Sequence, residues 1–177
     1  MGEVASKQFW FVAMTRSCQE KKSVEALAGL GIECYLPLQK VRRKWSDRVK
    51  ILEQPVMPRI VFVRCSPDRR RALASQVYGV TGFMMDRSLP ATSPLVVPEK
   101  QLEQFRKFID GMNGMAEVSI TTSPIRKGSK VRILNGPLQG FICECVELSG
   151  KRHVVVRLGM LGTAVAQVDI KDIEPAD

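Results

Sequence analysis

Histidine is nearly absent from this chain of 177 residues: His153 is the only one, and it leads directly into the valine run 154–156. A lone strand histidine is ordinarily structural. A Cys–His nucleophilic pair would need it to meet Cys143 or Cys145, whose C-x-C spacing puts both thiols on one strand face. Zinc sites use C-x₂₋₄-C pairs, and none occurs. There is no glycine-rich loop of the P-loop or dinucleotide type. No apolar run approaches the roughly 18 residues of a membrane span. The N-terminus, with Glu3, Lys7 and no extended apolar core, does not read as a signal peptide. Its first six residues, MGEVAS, fit the M-G-x-x-x-[ST] myristoylation pattern, which is loose enough to arise by chance. Five scattered cysteines, an odd number, read as reduced thiols of a cytoplasmic protein. These absences weigh against an enzyme, a metalloprotein or a membrane protein, and the chain is expected to need no cofactor.

Apolar content of 45% is ample for a core. The net charge of +9 is uneven. Residues 1–111 hold 19 Lys/Arg against 11 Asp/Glu, whereas residues 112–177 hold 8 against 7. The first part is the candidate for facing nucleic acid.

That first part reads β-α-β-β-α-β. FWFVAMT (9–15) has strand composition. Ser17, three residues before Glu20, has capping-box spacing and opens a helix with Val24, Leu27, Ala28 and Leu30 at helical intervals. Gly31 ends it. IECYLPL (32–38) resumes as a strand, VKILEQP leads back to IVFVRC (60–65), and Pro67 starts a helix over 67–76. VTGFM (80–84) is a short strand, and 98–110 is an amphipathic helix with Leu102, Phe105 and Ile109 on one side. DGMNGMAEVSITTSP (110–124), with small-residue breaks and no period, reads as a flexible linker. From 125 to 177, short strands and glycine turns point to a small β-barrel. Asn135-Gly136 is a strong tight-turn dipeptide, since both positions tolerate positive φ, and Gly140 supplies another unusual backbone angle.

One stretch poses a question. In EQPVMPRIVFV (53–63), Ile60 and Phe62 share one strand face and Val61 and Val63 the other, so neither face suits water. Helices of the chain can cover one face, and the other calls for a second cover.

GSKVRILNGPLQGFI (128–142) resembles a KOW motif. WFVAMTRSCQEKK (10–22), PVMPRIVFV (55–63) and VYGVTGFM (77–84) fall in the order and spacing of the NusG N-terminal (NGN) domain. The chain is therefore similar to NusG paralogs over about 8–175, and Pro55, Pro58 and the short NGPLQGFICE turn look most like the specialised RfaH and UpxY antiterminators. The resemblance implies an α+β protein. An RNP-like antiparallel sheet with flanking helices (8–109) binds RNA polymerase, a flexible linker (110–124) follows, and an SH3-like KOW barrel (125–177) ends the chain.

The resemblance further implies that the polymerase clamp helices cover the second strand face. Met57 and Ile60 stand for the family's aromatic residues, Pro58 matches, and Arg59 replaces a small residue. Met14, Phe62 and Phe83 fall at neighbouring positions of the same patch. Arg16 matches a position that touches the non-template DNA strand in RfaH-type proteins. In KVRRKWSDRVK (40–50), with WSDR as a hairpin tip, Arg42, Arg43, Lys44 and Arg48 interleave with Trp45, as suits a nucleic-acid backbone plus one stacked base. Leu138 and Phe141 match positions that dock a small-subunit ribosomal protein or a termination factor. The β-branched and glycine-interrupted HVVVRLGMLG favours a stable barrel over a tail that refolds as helix. The expected function is that of a monomeric, cytoplasmic transcription elongation regulator. It suppresses pausing and termination in a long operon such as one for surface polysaccharide. The rival reading is an RNA- or ribosome-binding KOW protein acting in translation, against which the near-neutral tail counts.

Overall fold

The structure is a computed structural model that describes residues 7–88 and 93–176. The myristoylation pattern at 1–6 lies outside the described residues. In chain order the elements are β1 (Phe9–Thr15), α1 (Glu20–Gly29), β2 (Glu33–Tyr35), β3 (Leu38–Lys44), β4 (Val49–Pro55), β5 (Ile60–Cys65), α2 (Pro67–Gln76), β6 (Val80–Phe83) and β7 (Val96–Val97). They continue with α3 (Glu99–Met112), β8 (Val118–Thr121), β9 (Ser129–Ile133), β10 (Ile142–Leu148), β11 (Lys151–Arg157), β12 (Thr163–Gln167) and β13 (Ile173–Pro175). The chain divides into two compact units: Met1–Pro37 with Met57–Lys100, and Leu38–Val56 with Gln101–Asp177.

The first unit is an antiparallel sheet in the order β2-β5-β1-β6, with β7 also on β1. Its central pair, β1 and β5, is in continuous register from Phe9↔Cys65 to Met14↔Ile60. Alternation sends Phe11, Ala13, Val61 and Val63 to one side, where they form a core with Leu27 of α1 and Leu73 of α2. Two termini show why the helices stand where they do. Ser66 caps α2 by accepting from the Arg69 N–H at 3.2 Å, with Pro67 in the first turn. At the end of α1, Gly31 has φ +71°, and the Gly31 and Ile32 N–H groups donate to the carbonyls of Ala28 and Leu27, a Schellman arrangement.

The start of α1 departs from the expected capping box. Gln19 is the flanking residue, and no side chain caps the helix. Cys18 sits at φ +59°, so a tight turn separates Ser17 from the helix. Glu20 points inward instead, as described below.

The second unit holds a six-stranded antiparallel sheet, β13-β9-β10-β11-β12-β8, and the β3–β4 ribbon. β10 and β11 meet through Ser149 (φ +52°) and Gly150 (φ +73°), a two-residue turn with both centres left-handed, which matches strand twist. Asn135 does not adopt the positive φ expected of it. Gly136 (φ +80°) and Gly140 (φ +81°) carry that role, in a longer loop between β9 and β10. Within the stretch 110–124, α3 runs on to Met112 and Val118–Thr121 pairs with β12. Gln39 of β3 is buried and acts as a surrogate backbone for that strand. Its amide donates to the Val118 carbonyl at 2.9 Å and accepts from the Val118 N–H at 2.9 Å.

Arg157 ties the start of this sheet together. Its guanidinium forms a two-pronged pair with Glu144 (2.9 and 2.6 Å) and also donates to the carbonyls of Ile125 and Arg126. Glu144 additionally accepts from the Gly128 N–H at 2.5 Å. The Arg157 hydrogen bonds hold the Glu144 carboxyl below the usual carboxylate range, helped by Gly128 and against the cost of its desolvation. A lowered folded-state pKa stabilises above the unfolded value and loses that contribution as pH falls through the folded one. Charged hydrogen bonds contribute ~1.5–3 kcal/mol, and solvent at this partly exposed pair reduces that. Glu144→Gln is therefore expected to cost about 1–2 kcal/mol at pH 7. Urea unfolding at several pH values checks this: the gap should close as pH drops below ~4.

Candidate functional site

The second face of the first unit's sheet is where the patch was expected. Register puts Trp10, Val12 and Met14 of β1 beside Arg64, Phe62 and Ile60 of β5. The row is graded. Trp10, Val12 and Phe62 are buried, whereas Met14 and Ile60, directly opposite one another, are half-buried. The chain itself buries most of this face and leaves the Met14–Ile60 end partly open. Phe62 is 0% exposed, with Val12 opposite it and Tyr35 stacked at 5.9 Å, so it offers nothing to a docking partner here.

Phe83 belongs to the other side. It pairs with Ala13, which faces the helices, and sits edge-on to Phe11 at 6.3 Å within the helix-side core. The Arg70 guanidinium lies over both rings, at 5.4 and 5.5 Å. Its expected membership of the patch is corrected: strand alternation makes Phe83 a neighbour of Ala13 and Phe11, not of Met14. Met57 is also buried, while Pro58 and Arg59 are exposed.

The turn carrying Pro58 and Arg59 is built by backbone bonding. Arg59 has φ +63°, the left-handed conformation that glycine adopts without strain and asparagine tolerates. Its N–H donates to the buried Glu20 carboxylate at 2.8 Å, its carbonyl accepts from the Thr15 N–H at 2.9 Å, and its Nε reaches the Thr15 carbonyl at 3.3 Å. Glu20 thereby ties α1 to the turn that starts β5.

Beyond Met14, the end of β1 carries Arg16. Its N–H donates to the Gly79 carbonyl at 2.9 Å. Its guanidinium lies 4.7 Å from the centre of the Tyr78 ring, and Nη1 donates to the Tyr78 hydroxyl at 3.3 Å. Tyr78 is 78% exposed. It is a residue that pattern reading missed, although it stands inside the VYGVTGFM motif.

The other expected nucleic-acid residues lie on the β3–β4 ribbon, closed by the Trp45 N–H donating to the Arg48 carbonyl at 2.8 Å. Arg42, Arg43, Lys44 and Arg48 are all exposed, and so is Trp45, with Arg48 6.0 Å from its ring centre. Pairing sorts them by face: Arg42 and Lys44 share one with Ile51 and Val49, whereas Arg43 shares the other with Lys50 and buried Val41. Basic and exposed apolar side chains therefore alternate along one ribbon.

In the second unit, Leu138 is 5% exposed. It is seated on Gly111 of α3, where an added Cβ would fall 2.1 Å from Leu138 Cγ. Leu138 is therefore covered, whereas Phe141 is half-buried. Among the described residues, no group of three or more His, Cys, Asp and Glu side chains is placed to hold a metal ion. Burial pushes the thiols of Cys34 and Cys65 up to about 11 and that of Cys143 up to about 12, so they stay protonated.

The site is thus a helix-backed antiparallel sheet whose apolar row is half-open at the end next to Arg16 and Arg59; the other unit holds a second, all-antiparallel sheet. The family model described as transcription termination factor NusG matches residues 8–106, and the chain belongs to the NusG family of transcription factors. It is 26% identical, over 97% of its length and 95% of the relative's, to the transcription termination/antitermination protein NusG of Lactococcus lactis subsp. lactis (strain IL1403). Among solved structures it is similar to Thermotoga maritima NusG, from a study of domain interaction, with 21% identity and a TM-score of 0.49 over 97% of this chain and 98% of that one. It is also similar to a chain of the MjSpt4:Spt5 complex in conformation A, with 14% identity and a TM-score of 0.32 over 94% and 97%.

The Arg59 turn yields a stability test. Arg59→Gly relieves a left-handed backbone costing ~1–2 kcal/mol, but it loosens the unfolded chain by ~0.5–1 kcal/mol and removes the Nε bond to the Thr15 carbonyl, so gain and loss largely offset. Its stability is expected to stay within about 0.5 kcal/mol of wild type, whereas Arg59→Val, β-branched and hostile to positive φ, should lose about 1 kcal/mol or more. Urea unfolding of the two variants side by side is the check.

Proposed function

We propose that this NusG-family protein is a transcription elongation regulator of the RfaH/UpxY kind. It docks on the clamp helices of RNA polymerase, contacts the non-template DNA strand and suppresses pausing and termination in a long operon such as one for surface polysaccharide. The observation that carries this reading is the graded apolar row. A sheet face buried on Trp10, Val12 and Phe62 ends in half-open Met14 and Ile60, with exposed Pro58 beside them and Arg16 two residues on. An apolar end flanked by Arg16 and Arg59 suits a partner that is both hydrophobic and acidic, with the charges tuning choice and encounter.

In this reading residues 8–109 form the polymerase-binding domain, 110–124 the connection and 125–177 the KOW domain. Met14 and Ile60 are the anchors, with Pro58 at their rim, and Met57 supports the turn from beneath. Arg16 and the ribbon residues Arg42, Arg43, Lys44, Trp45 and Arg48 face nucleic acid. The KOW domain recruits a small-subunit ribosomal protein or a termination factor through Phe141. Leu138 joins that surface only when the loop carrying it leaves Gly111.

Interface anchors typically cost ~2 kcal/mol or more when lost. Ile60→Asp is expected to weaken binding to core RNA polymerase by at least about thirtyfold while circular dichroism shows it folded. Phe141→Asp should leave that binding unchanged. If wild type and Ile60→Asp bind the polymerase equally, the assignment of this face is wrong.

A further inference from the structure

The feature that the reading above leaves unused is the aromatic ring beside Arg16. Tyr78 is 78% exposed, the highest value among the exposed large apolar and aromatic residues described. It is nevertheless held on a rigid base. The Val80 N–H closes a turn on the Val77 carbonyl at 3.0 Å, and the next residue, Gly79, is wedged on helix α1. A Cβ at Gly79 would fall 2.0 Å from the Ser23 hydroxyl, so only glycine permits that approach. Val77 and Val80, on either side, are buried. The chain therefore anchors three residues of this turn and presents the fourth to solvent.

Arg16 orients the ring as well as touching it. Backbone bonding to Gly79 fixes where Arg16 begins, and the guanidinium then covers one side of the ring and donates to its hydroxyl. That leaves the ring's other face for a second flat group and most of the guanidinium's five N–H donors for an anion. A flat apolar group joined to an anion at short range describes a nucleotide. A single strand offers it with the base unstacked, whereas a duplex hides the base faces. Arg16 and the Tyr78 turn also lie beside the Met14–Ile60 end of the sheet, where Met14 pairs with Gly82 and Thr15 with Val80.

We propose that Tyr78 is a stacking platform for one unpaired base of single-stranded DNA, and that Arg16 both fixes the ring and takes the neighbouring phosphate. The proposal rests on the non-template-strand reading and assigns it a residue and a mode of contact. Stacking of this kind is indifferent to base identity, so the pair supplies affinity and register, and base choice comes from elsewhere on the surface.

The test compares two probes of equal length and charge, a short oligothymidylate and the same backbone with abasic sugars, by fluorescence anisotropy at several salt concentrations. Wild type should prefer the base-bearing strand. Tyr78→Ala should lose about tenfold on it, bind both probes alike and keep the salt dependence. Tyr78→Phe, which keeps the ring and loses only the hydroxyl contact, should behave as wild type. Arg16→Gln should flatten the log–log salt slope by about 0.7. The proposal is overturned if Tyr78→Ala keeps the full preference for bases, or if Tyr78→Phe falls as far as Tyr78→Ala. Wild type that binds neither probe would sink the DNA reading itself, and with it this one. Because Tyr78 is so exposed, circular dichroism should find every variant folded.

Discussion

The β1–β5 pairing is the constraint on which the first unit depends, because both strands are apolar on both faces and every residue in them has a fixed destination. Phe11, Ala13, Val61 and Val63 pack on the helices, while Trp10, Val12 and Phe62 fill the opposite side. Full burial of each large side chain contributes ~1.5–3 kcal/mol. A one-residue slip of either strand would turn its own two sets over, bringing Met14 of β1 or Ile60 of β5 into the helix-side core. The register is thus specified many times over, and the open end of the row is a by-product of it. Where the pairing stops, the chain must reverse sharply. That is why Arg59 takes a left-handed backbone and why the buried Glu20 carboxylate is spent on its N–H.

Much of this was legible because it is local. β1, β5 and α2 follow from strand composition and from proline at a helix start. The end of α1 follows from Gly31, and the Trp45–Arg48 tip from a polar break between two strand-like runs. The resemblance also marked position 59 as one for a small residue, and its left-handed φ gives the physical reason.

What stayed hidden is non-local. Phe62 and Phe83 look alike in a pattern of apolar residues, yet one lies on each face. The face of Phe83 depends on its pairing with Ala13, in a strand pair whose register shifts between Met14 and Thr15. Ser17 has the spacing of a cap, but Cys18 turns the chain and Glu20 answers a partner 39 residues away instead of its own helix. β8 comes from a stretch of small and polar residues that carries no strand signal beyond VSIT, and it exists because β12 offers it an edge. Gln39 reads as an ordinary polar strand residue until Val118 supplies both of its bonds.

Charge changes meaning when it is counted by compact unit instead of along the chain. Split at residue 111, the tail is almost neutral, which counted against a nucleic-acid role for it. The unit that contains the tail also contains Leu38–Val56, and so includes Lys40, Arg42, Arg43, Lys44, Arg48 and Lys50. Counted that way, it holds 16 Lys/Arg against 11 Asp/Glu, while the other unit holds 11 against 7. Net charge therefore no longer separates an elongation regulator from an RNA-binding rival, because both units are basic. What does separate them is where the cations sit relative to apolar surface. At the end of β1 a half-open apolar row ends two residues before an arginine stacked on an exposed ring. The ribbon instead spreads its cations over both faces of a two-stranded arm, with exposed Trp45 at its tip.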